Sequence, residues 1–204
     1  FYGPPGTGKT LTANLLGASA GMDVYRIDLS MVVSKYIGET EKNLAGVFDQ
    51  AQNKNWILFF DEADALFGKR TQTTNSNDRH ANQEVAYLLQ RLEDFPGTVI
   101  LASNIKANID EAFARRFQSV IYFAMPDEGE RLKLWRKLLP NPALLAPDVD
   151  LPYLAEKYPL AGGALINVIR YAAVRASRLN RQQIEQADLL QGISKEFSKE
   201  GRSL

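Results

Sequence analysis

Cysteine is absent from this 204-residue chain, which excludes disulfides, thiolate-bound metals and cysteine nucleophiles together. Histidine is nearly absent: His80 stands alone, so no multi-histidine metal centre can form, and its place near an expected helix start reads as a polar surface contact. Neither sign of charge is in excess, with 24 Lys plus Arg against 24 Asp plus Glu. That balance removes the bulk field that draws a protein to nucleic acid, so nucleic acid is not an expected partner. Apolar runs such as residues 56–60 fall far short of the roughly 20 residues that span a bilayer, and no leader pattern is read at Phe1. Direct membrane insertion is therefore not expected, and the expected compartment is a reducing one, the cytoplasm. No internal repeat is visible. The length suits one medium domain, or a larger domain with a small satellite.

What the chain does have begins at its first residues. Gly3-Pro4-Pro5-Gly6-Thr7-Gly8-Lys9-Thr10 matches the P-loop pattern G-x-x-x-x-G-K-[ST] at every fixed position. A polyphosphate needs a concave ring of backbone N–H donors, and glycines let the main chain curl closely enough to supply it. The helix expected over residues 9–20 turns its positive end toward the same anion. Lys9 is suited to reach the β- and γ-phosphates, and the Thr10 hydroxyl to ligate Mg²⁺. Only Phe1 and Tyr2 precede the motif, so the strand expected to feed it is short and the chain reads as an excised domain.

In that first helix Leu11, Leu15 and Leu16 are the apolar residues available for one buried face, and Gly21 is its stop. A strand is expected over residues 23–29, with Tyr25, Ile27 and Leu29 alternating against Val24, Arg26 and Asp28. A helix over about 40–54 follows, striped by Leu44, Val47, Phe48 and Ala51. Residues 56–60 form a continuous apolar run of the kind found in a strand buried on both faces, and Asp61-Glu62 stands at its C-terminal end, where open α/β sheets bind ligands. Asp61 can hold the Mg²⁺ shell while Glu62 orients and polarises the attacking water. Read structurally, the same two acids could simply start the next helix.

Residues 68–78 are polar and read as a loop. A helix over about 79–93 buries Val85, Leu88, Leu89 and Leu92, and Pro96-Gly97 turns the chain into a strand over 98–102. Asn104 then sits at a strand end beside the acids, where an amide can position water. A short helix near 110–113 leads to Arg115-Arg116, and residues 119–123 form a last strand. Pro126 breaks this βα pattern, and helices over about 127–139 and 152–157, a long helix striped by Leu165, Val168, Ile169, Ala172 and Ala176, and a final one over 184–197 follow without strands, which makes a small bundle. The fold class is thus α/β, a parallel sheet flanked by helices over residues 1–125, followed by an all-α unit over 126–204.

Together these residues resemble the AAA family of AAA+ ATPases over essentially the whole chain. Gly3 to Thr10 is similar to that family's P-loop down to both prolines, residues 57–62 to its Walker B strand, and Asn104 to its sensor 1. Arg115 and Arg116 before Phe117 are similar to its arginine fingers, and Gly162-Gly163-Ala164 to the start of the lid helix that closes over the nucleotide. The resemblance implies ATP and Mg²⁺ as cofactors, with Gly3, Pro4, Pro5, Gly6, Thr7, Gly8, Lys9, Thr10, Leu11, Asp61, Gly163 and Ala164 around the nucleotide, and Thr10 and Asp61 on the metal. Glu62, Asn104, Arg115 and Arg116 are its implied catalytic residues. Because fingers act on a phosphate held by the neighbouring subunit, it implies a homo-oligomeric ring, most often a hexamer.

Lys35-Tyr36-Ile37-Gly38 resembles the family's first pore loop, in which an aromatic ring grips an extended protein substrate threading a central pore, and residues 68–78 would be the second. Without the resemblance Tyr36 reads as partly packed core, and Arg115-Arg116 as a solvated charge pair. The adjacent arginines resemble the microtubule-severing and membrane-remodelling branch. Ala164 stands where other branches carry a sensor 2 arginine, so none is assigned. Two readings of function stay open: a ring ATPase that remodels, unfolds or threads proteins, and a nucleotide-gated assembly factor that loads or releases a partner without threading. Asp61-Glu62-Ala63-Asp64 spells the signature of a helicase group, but such helicases need a second RecA-like domain that a helical tail does not supply.

Overall fold

The computed structural model describes residues 1–29, 39–64, 86–104, 116–199 and 201–202. Lys35, Tyr36, Ile37, Gly38, the 68–78 segment, His80, the helix expected near 110–113 and Arg115 lie outside the described residues. The chain groups into two compact units, residues 1–3 with 9–123 and residues 4–8 with 124–204.

The first unit is built on a parallel sheet in which β1 (Val24–Asp28), β2 (Ile57–Asp61) and β3 (Val99–Leu101) lie in that order. Asp28 pairs with Asp61 and Phe60 with Leu101, so the strand ends that carry polar residues come out at one edge. Beyond β3, Tyr2 makes single parallel bridges to Ser103 and to Tyr122. The Tyr2 amide donates to the Ile121 carbonyl at 2.9 Å and the Phe123 amide to the Tyr2 carbonyl at 2.8 Å. Residues 119–123 are therefore joined to the sheet by one bridge rather than by the full strand expected from their apolar pattern.

The apolar run at 56–60 behaves as its composition requires. Residues 57–60 are all buried, and successive side chains enter opposite cores. Leu58 and Phe60 join Leu44, Phe48 and Ala51 of α2 (Glu39–Lys54) and Leu88 and Leu89 of the helix over residues 86–94 (α3). Ile57 and Phe59 join Ala13 of α1 (Lys9–Ala20) on the other side.

Here α1 departs from expectation. Leu11, Leu15 and Leu16 are exposed at 63%, 59% and 45%, and the buried positions are Lys9, Ala13 and Gly17, spaced four apart. The reason is distance: a Cβ placed on Gly17 would stand 2.4 Å from Val24 Cγ2 and 2.7 Å from the Met22 carbonyl oxygen. Beyond Lys9, where the helix packs this closely at Ala13 and Gly17, it admits only small side chains, so the leucines turn outward. In β1, Ile27 is buried as expected but Tyr25 is largely exposed and stacks on Trp56, with ring centroids 5.0 Å apart and planes 2° from parallel.

The second unit is helical. α4 (Glu128–Leu138) opens on a capping box, with the Glu130 amide donating to Asp127 Oδ1 at 2.8 Å and the Asp127 amide to Glu130 Oε2 at 3.0 Å. α5 (Leu151–Lys157) is capped by Asp150, whose Oδ1 accepts from the Tyr153 amide at 2.9 Å. α6 (Gly162–Arg178) and α7 (Gln186–Lys199) enclose a core of Trp135, Leu154, Leu165, Val168, Leu189, Ile193 and Phe197. Each such side chain contributes roughly 1.5–3 kcal/mol on burial. Within this core Asp188 is fully buried and accepts from Arg175, from Arg181 Nη1 at 2.9 Å and Nη2 at 2.8 Å, and from the Glu185 amide at 3.0 Å. Among the described residues no helix is long and apolar enough to cross a membrane.

Candidate functional site

The sheet edge where β2 and β3 end meets the first turn of α1, and the sequence-predicted residues Lys9, Thr10, Asp61 and Asn104 meet there. Lys9 is buried, and its Nζ donates to the Gly3 carbonyl at 2.8 Å and to Asn104 Oδ1 at 2.9 Å. Burial holds the Lys9 pKa below the usual lysine value, with the charges of Asp61 and Asp64 pulling it partly back. Thr10 lies beside it, its Oγ1 3.4 Å from Asp61 Oδ2.

Asp61 Oδ1 is held by the Glu62 amide at 3.0 Å. Glu62 itself has a φ of 54°, a left-handed conformation that costs a non-glycine residue roughly 1–2 kcal/mol, and its side chain is exposed. The turn at Glu62 thus separates the two acids, leaving Asp61 against Thr10 and Glu62 in solvent.

Two members of this cluster were not identified from the sequence. Asp64 accepts from the Ser103 hydroxyl and from the Asn104 amide at 3.1 Å, which fixes the turn that presents Asn104 to Lys9. Its signal was its place as the third acid of Asp61-Glu62-Ala63-Asp64. Arg26 of β1 forms an ion pair with Asp61, Nη2 to Oδ2 at 2.8 Å. Strand alternation alone gives no hint of that partner.

Thr10 and Asp61 offer two hard oxygens facing one another, a donor set that suits Mg²⁺ when phosphates and waters complete its shell. Among the described residues no group of three or more His, Cys, Asp and Glu could hold a metal by itself.

Of the remaining motif residues, Gly3 has a φ of 146° and a Cβ there would stand 2.1 Å from the Phe123 carbonyl oxygen, so no other residue fits. Leu11 is exposed. In the second unit, Thr7 Oγ1 donates to the Pro4 carbonyl at 2.8 Å, and Pro5 is exposed. Gly6, with a φ of 75°, accepts at its carbonyl from the Gly163 amide at 2.9 Å, and a Cβ on Gly163 would lie 3.1 Å from Gly6 Cα. The first turn of α6 has no side-chain cap at Ala161, so a P-loop carbonyl takes one of its amides; Ala164, in the same turn, is half-buried. Arg116 pairs with Glu93 of α3 at 3.1 Å, with both side chains about half exposed.

Comparison with known proteins agrees with this geometry. The family described as "ATPase family associated with various cellular activities (AAA)" matches residues 1–125. The ATPase family gene 2 protein of Schizosaccharomyces pombe is 37% identical over 181 residues, covering 86% of this chain and 22% of the relative. An ATP-dependent zinc metalloprotease FtsH from Lancefieldella parvula is 36% identical over 202 residues, 95% of this chain and 31% of the relative. The proteasome-activating nucleotidase of Methanothermobacter thermautotrophicus is 34% identical over 203 residues, 96% of this chain and 49% of the relative. The chain thus spans less than half the length of each of these relatives. On the family match over more than half its length, with the phosphate-loop lysine, the strand-end acids and Asn104 gathered at one sheet edge, the chain belongs to the AAA family.

Proposed function

We propose that this chain hydrolyses ATP as one member of a homo-oligomeric ring and uses the energy to remodel protein substrates. The observation that carries the reading is the meeting at one sheet edge of two hydrogen-bonded pairs, Lys9 with Asn104 and Thr10 with Asp61. Lys9 is a buried cation that donates to the neutral oxygens of Gly3 and Asn104, and a γ-phosphate can take the place of such an acceptor with a charged one, a stronger hydrogen-bond partner for a cation that burial disfavours. Glu62, exposed at the strand end, takes the proton of the attacking water as it orients it, and Asn104 holds that water in line. Thr10 and Asp61 are the residues that would hold a divalent cation, which when bound would supply charge neutralisation for the β- and γ-phosphates.

Gly163 and Ala164, at the start of α6, and the loop residues Pro4, Pro5, Gly6, Thr7 and Gly8 line the nucleotide in this reading, with residues 126–204 as the lid. Leu11 flanks it. Arg115 and Arg116 act on the phosphate of the adjacent subunit, and Lys35, Tyr36, Ile37 and Gly38 take the role of the substrate-gripping pore loop in this reading. The printed names of the relatives, an ATP-dependent metalloprotease and a proteasome-activating nucleotidase, favour a protein substrate over other cargo.

ATP hydrolysis measured against protein concentration tests the reading. Glu62→Gln and Arg115→Ala should each lose rate by on the order of 10³ alone, and mixing the two should restore activity because each supplies the half that the other lacks. Strictly first-order activity with no recovery on mixing would refute shared sites.

A further inference from the structure

The two oxygens of Asp61 are already divided between partners. Oδ1 accepts from the Glu62 amide at 3.0 Å, whereas Oδ2 faces both the Thr10 hydroxyl, at 3.4 Å, and the Arg26 guanidinium, at 2.8 Å. The register explains why Arg26 reaches it. β1 and β2 are parallel with Asp28 opposite Asp61, and Arg26, two residues back on the same face, extends forward along the pleat past Phe59. The oxygen that a cation bridging Thr10 and Asp61 must use is therefore the one that Arg26 holds.

Building on the reading of Thr10 and Asp61 as the divalent-cation ligands, we propose that Arg26 is a tethered competitor for that cation. Its guanidinium occupies Asp61 Oδ2 until the metal and nucleotide arrive, and binding of the metal releases it. Asp61 is largely buried, with 14% of its side chain exposed, so a carboxylate without a cation beside it is costly there. Arg26 removes that cost in the metal-free state. Its own side chain is 60% exposed, so water receives the guanidinium once displaced and the pair is weak enough for a cation to break. The device ties metal affinity to an exposed residue on the neighbouring strand, outside the phosphate loop and the β2 acids.

The test is Mn²⁺ titration followed by the electron paramagnetic resonance signal of the free ion, with protein in excess over a non-hydrolysable ATP analogue. Wild type is compared with Arg26→Gln and Arg26→Lys, and melting temperature checks the fold of each. Removing the competitor should tighten Mn²⁺ about two- to fivefold in Arg26→Gln, the worth of a partly exposed ion pair. Arg26→Lys, which keeps the charge, should stay near wild type. Equal or weaker Mn²⁺ binding by Arg26→Gln overturns the competitor while leaving the cation site in place. Loss of protein-dependent Mn²⁺ binding in all three proteins removes Thr10 and Asp61 as ligands, and the proposal with them.

Discussion

Lys9 in the first unit and Asp188 in the second are both buried charges, and their surroundings treat them in opposite ways. For Lys9 burial dominates: its pKa falls, with Asp61 and Asp64 only partly offsetting the loss of water. For Asp188 burial also acts against the charge, but hydrogen bonds from Arg181, the Glu185 amide and Arg175, together with the Arg181 charge, outweigh it and hold the pKa below the usual aspartate value. A charge that its own unit fully compensates is part of the scaffold. A charge that its site disfavours gains from an incoming partner of opposite sign, which is the role the proposed function gives Lys9.

The largest effect that would sharpen this contrast is on Asp188. Asp188→Asn should cost about 3 kcal/mol, the low end for breaking a buried pair, because Arg175 and Arg181 keep some contact with water; urea unfolding of the variant checks it. The pH dependence has a definite sign. A depressed carboxylate pKa contributes stability that is fully present above its unfolded value near 3.9 and is lost as pH falls through the lower native value. Acid unfolding of the variant should lack that step.

Gly17→Ala ranks next. A helix interior normally gains about 1 kcal/mol from this change, but the new Cβ would meet Val24 and the Met22 carbonyl, so a net loss of about 1–2 kcal/mol is expected in chemical denaturation. Leu15→Ala, on the outward face of the same helix, should stay within about 0.5 kcal/mol. A small effect on stability is also expected for Lys9→Met, which removes a disfavoured charge while leaving the Gly3 and Asn104 oxygens short of a donor. Its stability should remain within about 1 kcal/mol of wild type by thermal melting. A large loss there would make Lys9 a scaffold charge like Asp188.

Much of this was legible in the sequence because local chemistry dictates it. The glycine positions of the phosphate loop, the apolar run of β2 ending on two acids, and the strand-free helical pattern after Pro126 each carry their own signal. What was not legible depends on distances between elements. Leucines suggest a buried face for α1, yet the closeness of the helix to β1 reserves that face for Ala13 and Gly17. Asp64 acts by clamping Ser103 and Asn104, and Arg26 by reaching across to Asp61, contacts between residues 39, 40 and 35 positions apart that no short motif encodes.

Equilibrium binding of a fluorescent ATP analogue, with and without Mg²⁺, to wild type and Lys9→Met tests the central claim most directly. Two charge-assisted hydrogen bonds at about 1.5–3 kcal/mol each place the expected loss at on the order of 100-fold or more, with the melting temperature nearly unchanged. Equal affinity in a folded Lys9→Met protein would contradict the account, because the buried cation at the sheet edge would then not be the phosphate partner.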